Sequence, residues 1–354
     1  MMRFGYCLPM FAMPGPALFR TPGWAKLDGR ETLALGVHAE ALGFDSLWVC
    51  DHLMLGCEDA VLEGWTTLSA LAGATRRASL GLIHQANLFR HPAVMAKMIA
   101  TLDVLSDGRF ILFLEAGTRR SEHVAYGLDW DDDAERRIAR MEEALQLMRL
   151  LWSGPGPHSF EGRHYRLHEA VCTPPPTQRP SPPLWLGNTN PQVLACVARH
   201  AQGWNTTPIA LNDLERALTE LRAACVAAGR DFDELELSHE TQVLIAPDRA
   251  TLNTRLAALL DLAERRPSPG PGTPLDLAAL RAFARSEISE LPISPLTERW
   301  LVGTPDQVTA RIAAYQSAGI SHFMLWFMDA PARDGMELFM REVAQHFSHP
   351  RAAA

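Results

Sequence analysis

The 354-residue chain predicts an α/β fold, a single (β/α)8 TIM barrel over residues 1–354 with two insertions. Three observations carry that prediction. Short β-branched or aromatic runs alternate with longer segments of helical period, the pattern of parallel βα units. Eight such runs occur, one for each stave of a barrel. None of their ends carries the GxGxxG that a doubly wound sheet, the competing parallel architecture, places after an early strand.

The elements follow in order. Arg3 to Leu8 reads as the first strand. Glu31 to Leu42 is a helix with Leu33, Val37 and Ala41 spaced by four, stopped by Gly43 where helices favour glycine. Ser46 to Cys50 and Ser79 to Ile83 are the second and third strands, with a helix over Trp65 to Thr75 between them. Ala93 to Leu105 is a helix with Pro92 at its start, where a missing N–H is harmless. Arg109 to Leu114 (RFILFL) is an unbroken apolar run, as expected of a strand covered on both faces. Glu135 to Trp152 carries Ile138, Met141, Leu145 and Met148 on one helical face.

A first insertion, about 153–183, then interrupts the rhythm. Ser159 to His168 reads as a hairpin turning at Glu161-Gly162, and the six prolines of Cys172 to Pro183 preclude regular structure. Strands resume at Leu184 to Leu186, Gly203 to Thr206 and Leu235 to Ala246, with helices over Val193 to His200 and Leu211 to Ala228. The second insertion, about 266–295, is rich in Pro and Gly around a helical island at Leu277 to Ala284. Asp306 to Ala318, His322 to Phe327 and Met336 to Phe347 close the fold as helix, strand and helix.

Composition narrows the function. Hydrophobic residues at 47% and charged residues at 21% are ordinary globular values and exclude a disordered or fibrous chain. Acidic residues outnumber basic ones, 41 to 33, for a net charge of -8, which argues against nucleic acid or an anionic membrane as partner. No apolar run approaches the roughly 20 residues of a membrane span, and Met1 to Pro9 lacks the features of a secretory signal. The six cysteines form no CxxC pair, so no disulfide framework or zinc site is encoded locally. A cytoplasmic protein is the expectation.

Barrel chemistry collects at the C-terminal ends of the strands. Those ends read Asp51-His52, His84 to Asn87, Glu115 to Thr118, Gly187 to Asn190, Thr206-Thr207, His239 to Gln242 and Trp326 to Asp329. Asp51-His52 is either a proton-transfer pair, since histidine titrates near neutrality, or a turn cap beside a packed ring. Gly187-Asn188-Thr189-Asn190 precedes a helix beginning near Pro191 and reads as a phosphate loop or an ordinary cap. Neither His84 with His91 nor the presumed solvent-facing pair His164 and His168 has grouped ligand partners. Strand one ends in Tyr6-Cys7-Leu8 rather than an HxH pair, so no metal is expected.

An ordered set of motifs then carries a likeness. NLFRHPA at Asn87 to Ala93, the run through Ala96-Lys97 and Ala100 to Ser106 to Gly108-Arg109, Glu122-His123 with Ala125-Tyr126-Gly127, SFEGRHYRL, PPLWLGN at Pro182 to Asn188, GWN at Gly203 to Asn205, VGTPDQV at Val302 to Val308 and Ala318-Gly319-Ile320 together resemble the luciferase-like monooxygenase superfamily over about residues 1–345. The resemblance implies a barrel that binds reduced FMN or the deazaflavin coenzyme F420 at its C-terminal mouth, with the second insertion as a mobile, lid-like cover. It implies a non-proline cis peptide at Ile83-His84 against the middle of the ring. It places the phosphate loop on Gly187, Asn188, Thr189 and Asn190, and Asp51, Ile83, His84, Asn87, Gly117 and Thr118 among the cofactor contacts. His52 falls near the reacting ring.

Two departures stand out. The family's small-residue strand end is here Phe113-Leu114-Glu115-Ala116-Gly117-Thr118, with Glu115 in place of a glycine. Some deazaflavin relatives keep a glutamate at the position of Thr118. Glu115 either substitutes for that acid or pairs with Arg119 or a base in the barrel core. His84 is unusual for its loop and within reach of substrate, so His52, Glu115 and His84 are the candidate catalytic residues.

Three functions are implied. The first is a monooxygenase using reduced FMN, from a separate flavin reductase, and O2 to oxidise a small organic substrate in an apolar pocket, with an acid–base group such as His52. The alternative is an F420-dependent oxidoreductase passing hydride directly, with His52 moving the proton. The third is a non-catalytic flavin-binding barrel. A homodimer through early barrel helices is expected.

Overall fold

The computed structural model describes residues 2–266, 275–295 and 297–347. Eight parallel strands close on themselves: β1 (Arg3–Cys7), β2 (Ser46–Cys50), β3 (Ser79–Ile83), β4 (Phe110–Glu115), β5 (Leu184–Gly187), β6 (Gly203–Asn205), β7 (Glu236–Ile245) and β8 (His322–Phe327). Each pairs with the next, and β8 pairs back to β1 with Arg3 opposite His322. The expected (β/α)8 barrel is therefore the fold. Helices α1 (Gly29–Leu42), α2 (Gly64–Ala74), α3 (Pro92–Leu105), α4 (Arg120–Ala125), α5 (Ala134–Trp152), α6 (Pro191–His200), α7 (Leu211–Ala227), α8 (Arg249–Arg265), α9 (Leu277–Ala284), α10 (Pro305–Ser317) and α11 (Asp334–Glu342) accompany it.

Local chemistry sets the helix ends. Asp28 caps α1 through the Arg30 and Glu31 amides, and Gly43 ends it at φ 99°, a left-handed conformation that glycine adopts without penalty. Asn190 caps α6 and Pro191 opens it. Thr304 and Gln307 form a capping box at α10.

Glycines make room for tryptophans inside the barrel. Trp48 on β2 lies opposite Gly81 on β3, and a Cβ added to Gly5 or Gly81 would collide with its indole. Trp185 on β5 likewise lies opposite Gly203 on β6. The two indoles approach to 5.3 Å, and Phe113 joins them from β4. At the N-terminal end His322 bridges the Ser46 hydroxyl and Glu236, so the polar atoms sealed there are partnered.

The hairpin of the first insertion runs His158–Glu161 against Arg166–Ala170, one or two residues from where the sequence placed it. Of the second insertion, residues 267–274 lie outside those described, so the expected cover is not placed there. Its later part docks α9 on α8, burying Leu280 and Phe283 with Leu256 and Leu260. The expected closing helix Met336 to Phe347 is divided: α11 ends at Glu342 and a 3-10 turn spans Ala344–Phe347. Elements not expected from the sequence are α4, α8, the two-residue strand Gln85–Ala86 and the strand Leu301–Gly303, which extends β7 at Val243–Ile245.

The long connection after β1 also had no prediction. Its Met10, Phe11, Met13 and Leu18 are buried, and it folds over the ends of β7 and β8. Gln242 Nε2 donates to Leu18 O at 2.7 Å and Gly23 N to Met328 O at 3.0 Å. This carries Arg20 over the barrel mouth.

Candidate active site at the barrel mouth

The ends of β2, β3, β4 and β7 bring four titratable groups to the mouth. The first is His52, just past β2. Its Nδ1 lies 3.0 Å from Glu122 Oε1 on α4. Glu122 also accepts from Leu53 N at 3.0 Å and Arg119 Nη1 at 3.2 Å, and its side chain is 1% exposed. Burial opposes its charge, yet the His52 hydrogen bond and charge, the Leu53 amide and Arg119 together hold the carboxyl below its ordinary value. An ionised carboxylate only accepts, so Nδ1 carries the ring proton. The other ring nitrogen, Nε2, makes no hydrogen bond among the described residues.

Asp51, beside it, is occupied differently. Its two oxygens take both ends of the Arg90 guanidinium at 2.8 and 3.0 Å, and one accepts from Ala86 N at 3.1 Å. Burial pushes its carboxyl up, and Arg90 opposes the rise. The pair locks the connection after β3, and so positions the next group.

That group is His84, reached through a cis Ile83-His84 peptide, as the resemblance implied. Ile83 itself is buried at 4% exposure. The His84 ring stands edge-on to Phe113 at 4.4 Å. Its Nδ1 is 3.7 Å from Glu115 Oε2 and its Nε2 is 3.9 Å from Glu240 Oε2. Glu115, the last residue of β4, therefore faces His84 and the Thr118 hydroxyl, at 3.4 Å, while Arg119 goes to Glu122. Burial pushes the Glu115 carboxyl up, with His84 and His52 pulling it back.

Beside Glu115 a cavity opens between the ends of β4 and β5. Gly117, Thr118, Gly187, Asn188 and Asn190 line it with Arg137 of α5. Gly117 takes φ 97° there, and a Cβ on Gly187 would press Phe113 at 3.0 Å. Arg137 stacks on Trp130 at 4.3 Å and bonds the carbonyls of Gly117 and Asp131, but forms no ion pair among the described residues. A guanidinium without a direct ion-pair partner among the described residues, beside two amides and a hydroxyl, is a donor set suited to a phosphate. Thr189 faces away into a neighbouring cavity with Thr206, Thr207 and Arg299. Asn87 is buried, donates to the Tyr165 hydroxyl at 3.4 Å, and leaves Oδ1 without a hydrogen-bond partner among the described residues.

Sequence reasoning missed Glu122 as the partner of His52, Arg137 as a cavity cation, and Glu240 with Arg20. Two of these left a signal, Glu122 within the motif Glu122-His123 and Glu240 within the strand end His239 to Gln242. Glu236, Ser238, Glu240 and Gln242 alternate along β7, which marks a polar inner face.

Known proteins share this fold. The chain is 33% identical over 320 residues to the F420-dependent glucose-6-phosphate dehydrogenase of Microbacterium testaceum (strain StLB037), covering 88% of this chain and 90% of that one. Two solved structures superpose at the level of fold. An F420-dependent secondary alcohol dehydrogenase matches with TM-score 0.73 at 20% identity, covering 97% of this chain and 98% of that one. A long-chain alkane monooxygenase matches with TM-score 0.77 at 16% identity, covering 100% and 93%. Residues 2–322 match the luciferase-like monooxygenase family. With the barrel and that match in agreement, the chain belongs to the luciferase-like monooxygenase family.

Proposed function

We propose that the protein is an oxidoreductase that uses the deazaflavin coenzyme F420 to pass hydride to or from a small organic substrate. The observation that carries this reading is the His52–Glu122 dyad at the mouth. Oxidation of an alcohol to a carbonyl releases a hydride from carbon and a proton from oxygen, and the proton needs a base. With Nδ1–H held by Glu122, Nε2 of His52 is the atom that takes the proton, and in the reverse direction returns it.

The sequence favoured reduced FMN with O2 over this alternative, and the balance now moves to the alternative. The relative at 33% identity is named for F420. The mouth carries His52, His84, Glu115 and Glu240, polar groups suited to moving a proton alongside the hydride. When bound, the deazaflavin ring supplies a carbon centre that accepts or donates hydride. Arg137, Thr118, Asn188 and Asn190 would hold its phosphate, and Gly117 and Gly187 leave space beside it. Asp51 and Arg90 keep the connection after β3 in place.

Titrating the protein with F420, FMN and reduced FMN tests the cofactor. The expected result is tight binding of F420 and at least ~10-fold weaker binding of both FMN forms; a preference for reduced FMN refutes the proposal. A homodimer through α2 and α3 is part of the same reading, supported by Val94 and Leu105, which are 56% and 72% exposed. Light scattering that gives a monomer mass at micromolar concentration would refute it.

A further inference from the structure

Strands β3 and β7 stand opposite one another in the barrel, yet their side chains meet over its mouth. Glu240 of β7, 1% exposed, reaches towards His84 from β3. Its Oε1 is committed, accepting from Trp326 Nε1 at 2.7 Å and ion-paired with Arg20 Nη2 at 2.8 Å. Its Oε2 has no hydrogen-bond partner among the described residues. Neither has Nε2 of His84 nor Nη1 of Arg20, and all three atoms are buried. Buried polar atoms are almost always partnered, so three orphans on adjoining side chains in a site mark a place where a ligand supplies the bonds.

We infer that Glu240, His84 and Arg20 form a clamp for a hydroxyl group of the substrate other than the one that reacts, which makes the substrate a polyhydroxylated compound. The orphans decide the class. Glu240 offers an acceptor, Arg20 a donor and His84 either. A hydroxyl gives one hydrogen bond and accepts two, so it satisfies such a set. An ammonium only donates and would face the Arg20 guanidinium. A carboxylate or phosphate only accepts and would face Glu240, with Glu115 close by on His84. The clamp rests on the hydride-transfer reading for its kinetic test but not for its binding test.

The kinetic test compares ribitol with 3-pentanol, a five-carbon pair differing in extra hydroxyls, as substrates of the F420-loaded enzyme. Ribitol should show kcat/KM at least ~10-fold above 3-pentanol, because a site built to bond a hydroxyl penalises its loss. Glu240→Gln keeps an acceptor for Arg20 and Trp326 but turns a donor towards His84, and should cut the ribitol to 3-pentanol ratio about 10-fold, through KM for ribitol. His84→Phe should cut it similarly. A ratio unchanged in both variants, or one near unity in the wild type, overturns the clamp. If neither alcohol is turned over, calorimetric titration of the full-length chain with ribitol decides it. Saturable heat that Glu240→Gln abolishes supports the clamp; no saturable heat in the wild type overturns it, whatever the cofactor.

Discussion

Replacing Glu122 by glutamine tests the dyad with little change of shape. The carboxylate takes His52 Nδ1 and Leu53 N, each at 3.0 Å, and these bonds with the His52 and Arg119 charges hold it ionised despite burial. The amide keeps an oxygen for Leu53 N–H but presents an N–H group to His52. Nδ1 must then accept, and the ring proton moves to Nε2, the nitrogen that is to act as base. A positioned general base contributes typically 10²–10⁴-fold, so kcat should fall ~10²-fold or more, equivalent to about 3 kcal/mol of barrier, with KM within about threefold. Steady-state loss of oxidised deazaflavin absorbance between pH 5 and 9 reads both constants. A melting curve supplies an independent check. The folded-state value of Glu122 lies below its ordinary 4.5, so its contribution to stability is present above that value and lost as pH falls through the lower one. Glu122→Gln should therefore melt below the wild type at neutral pH, and the gap should close as pH falls through the depressed folded-state value of Glu122. A kcat within twofold of wild type across the range, or a loss carried by KM alone, refutes the role given to the dyad.

Three other outcomes follow from the same structure. Arg137→Ala should weaken F420 binding about 10-fold or more by removing a cation from the phosphate cavity, read by fluorescence titration; unchanged affinity would place the phosphate elsewhere. Gly81→Ala drives a methyl into the Trp48 indole inside the barrel and should destabilise by about 1–3 kcal/mol in urea unfolding, whereas an unaltered midpoint would mean that the indole has room to shift. Asp329, after β8, has its carboxyl pushed up to about 6 by burial, with Arg255 opposing. Its folded-state value thus exceeds the unfolded one, and the penalty for its charge grows from pH 4 to 6 and is complete above. Asp329→Asn should then raise the melting temperature at pH 8, by up to about 3 kcal/mol of stability, with the gain vanishing near pH 4; a gain independent of pH would refute this.

The family's two cofactors were not separable from the sequence, because ring and phosphate handling are common to both. The relative named for F420 moves the balance to the deazaflavin. Glu115 illustrates the limit. Its position at the end of β4 was legible from the run RFILFLE, but the sequence left open whether it serves as the missing acid or pairs with Arg119 or a base in the barrel core. Only the closed barrel shows that Arg119 turns to Glu122 and leaves Glu115 with His84.

What the chain determined by itself was local. The alternation of apolar period between strands and helices, the caps at Gly43 and Asn190, and the strand-end positions of His52, His84 and Glu115 depend on residues a few places apart, so they can be read along the sequence. Tertiary structure decided the partners. Glu122 lies 70 residues from His52, and Glu240 meets His84 only because β3 and β7 face each other after the sheet has closed. Such contacts depend on how strand register and barrel closure set distances across the mouth, and no periodicity within a single segment encodes that.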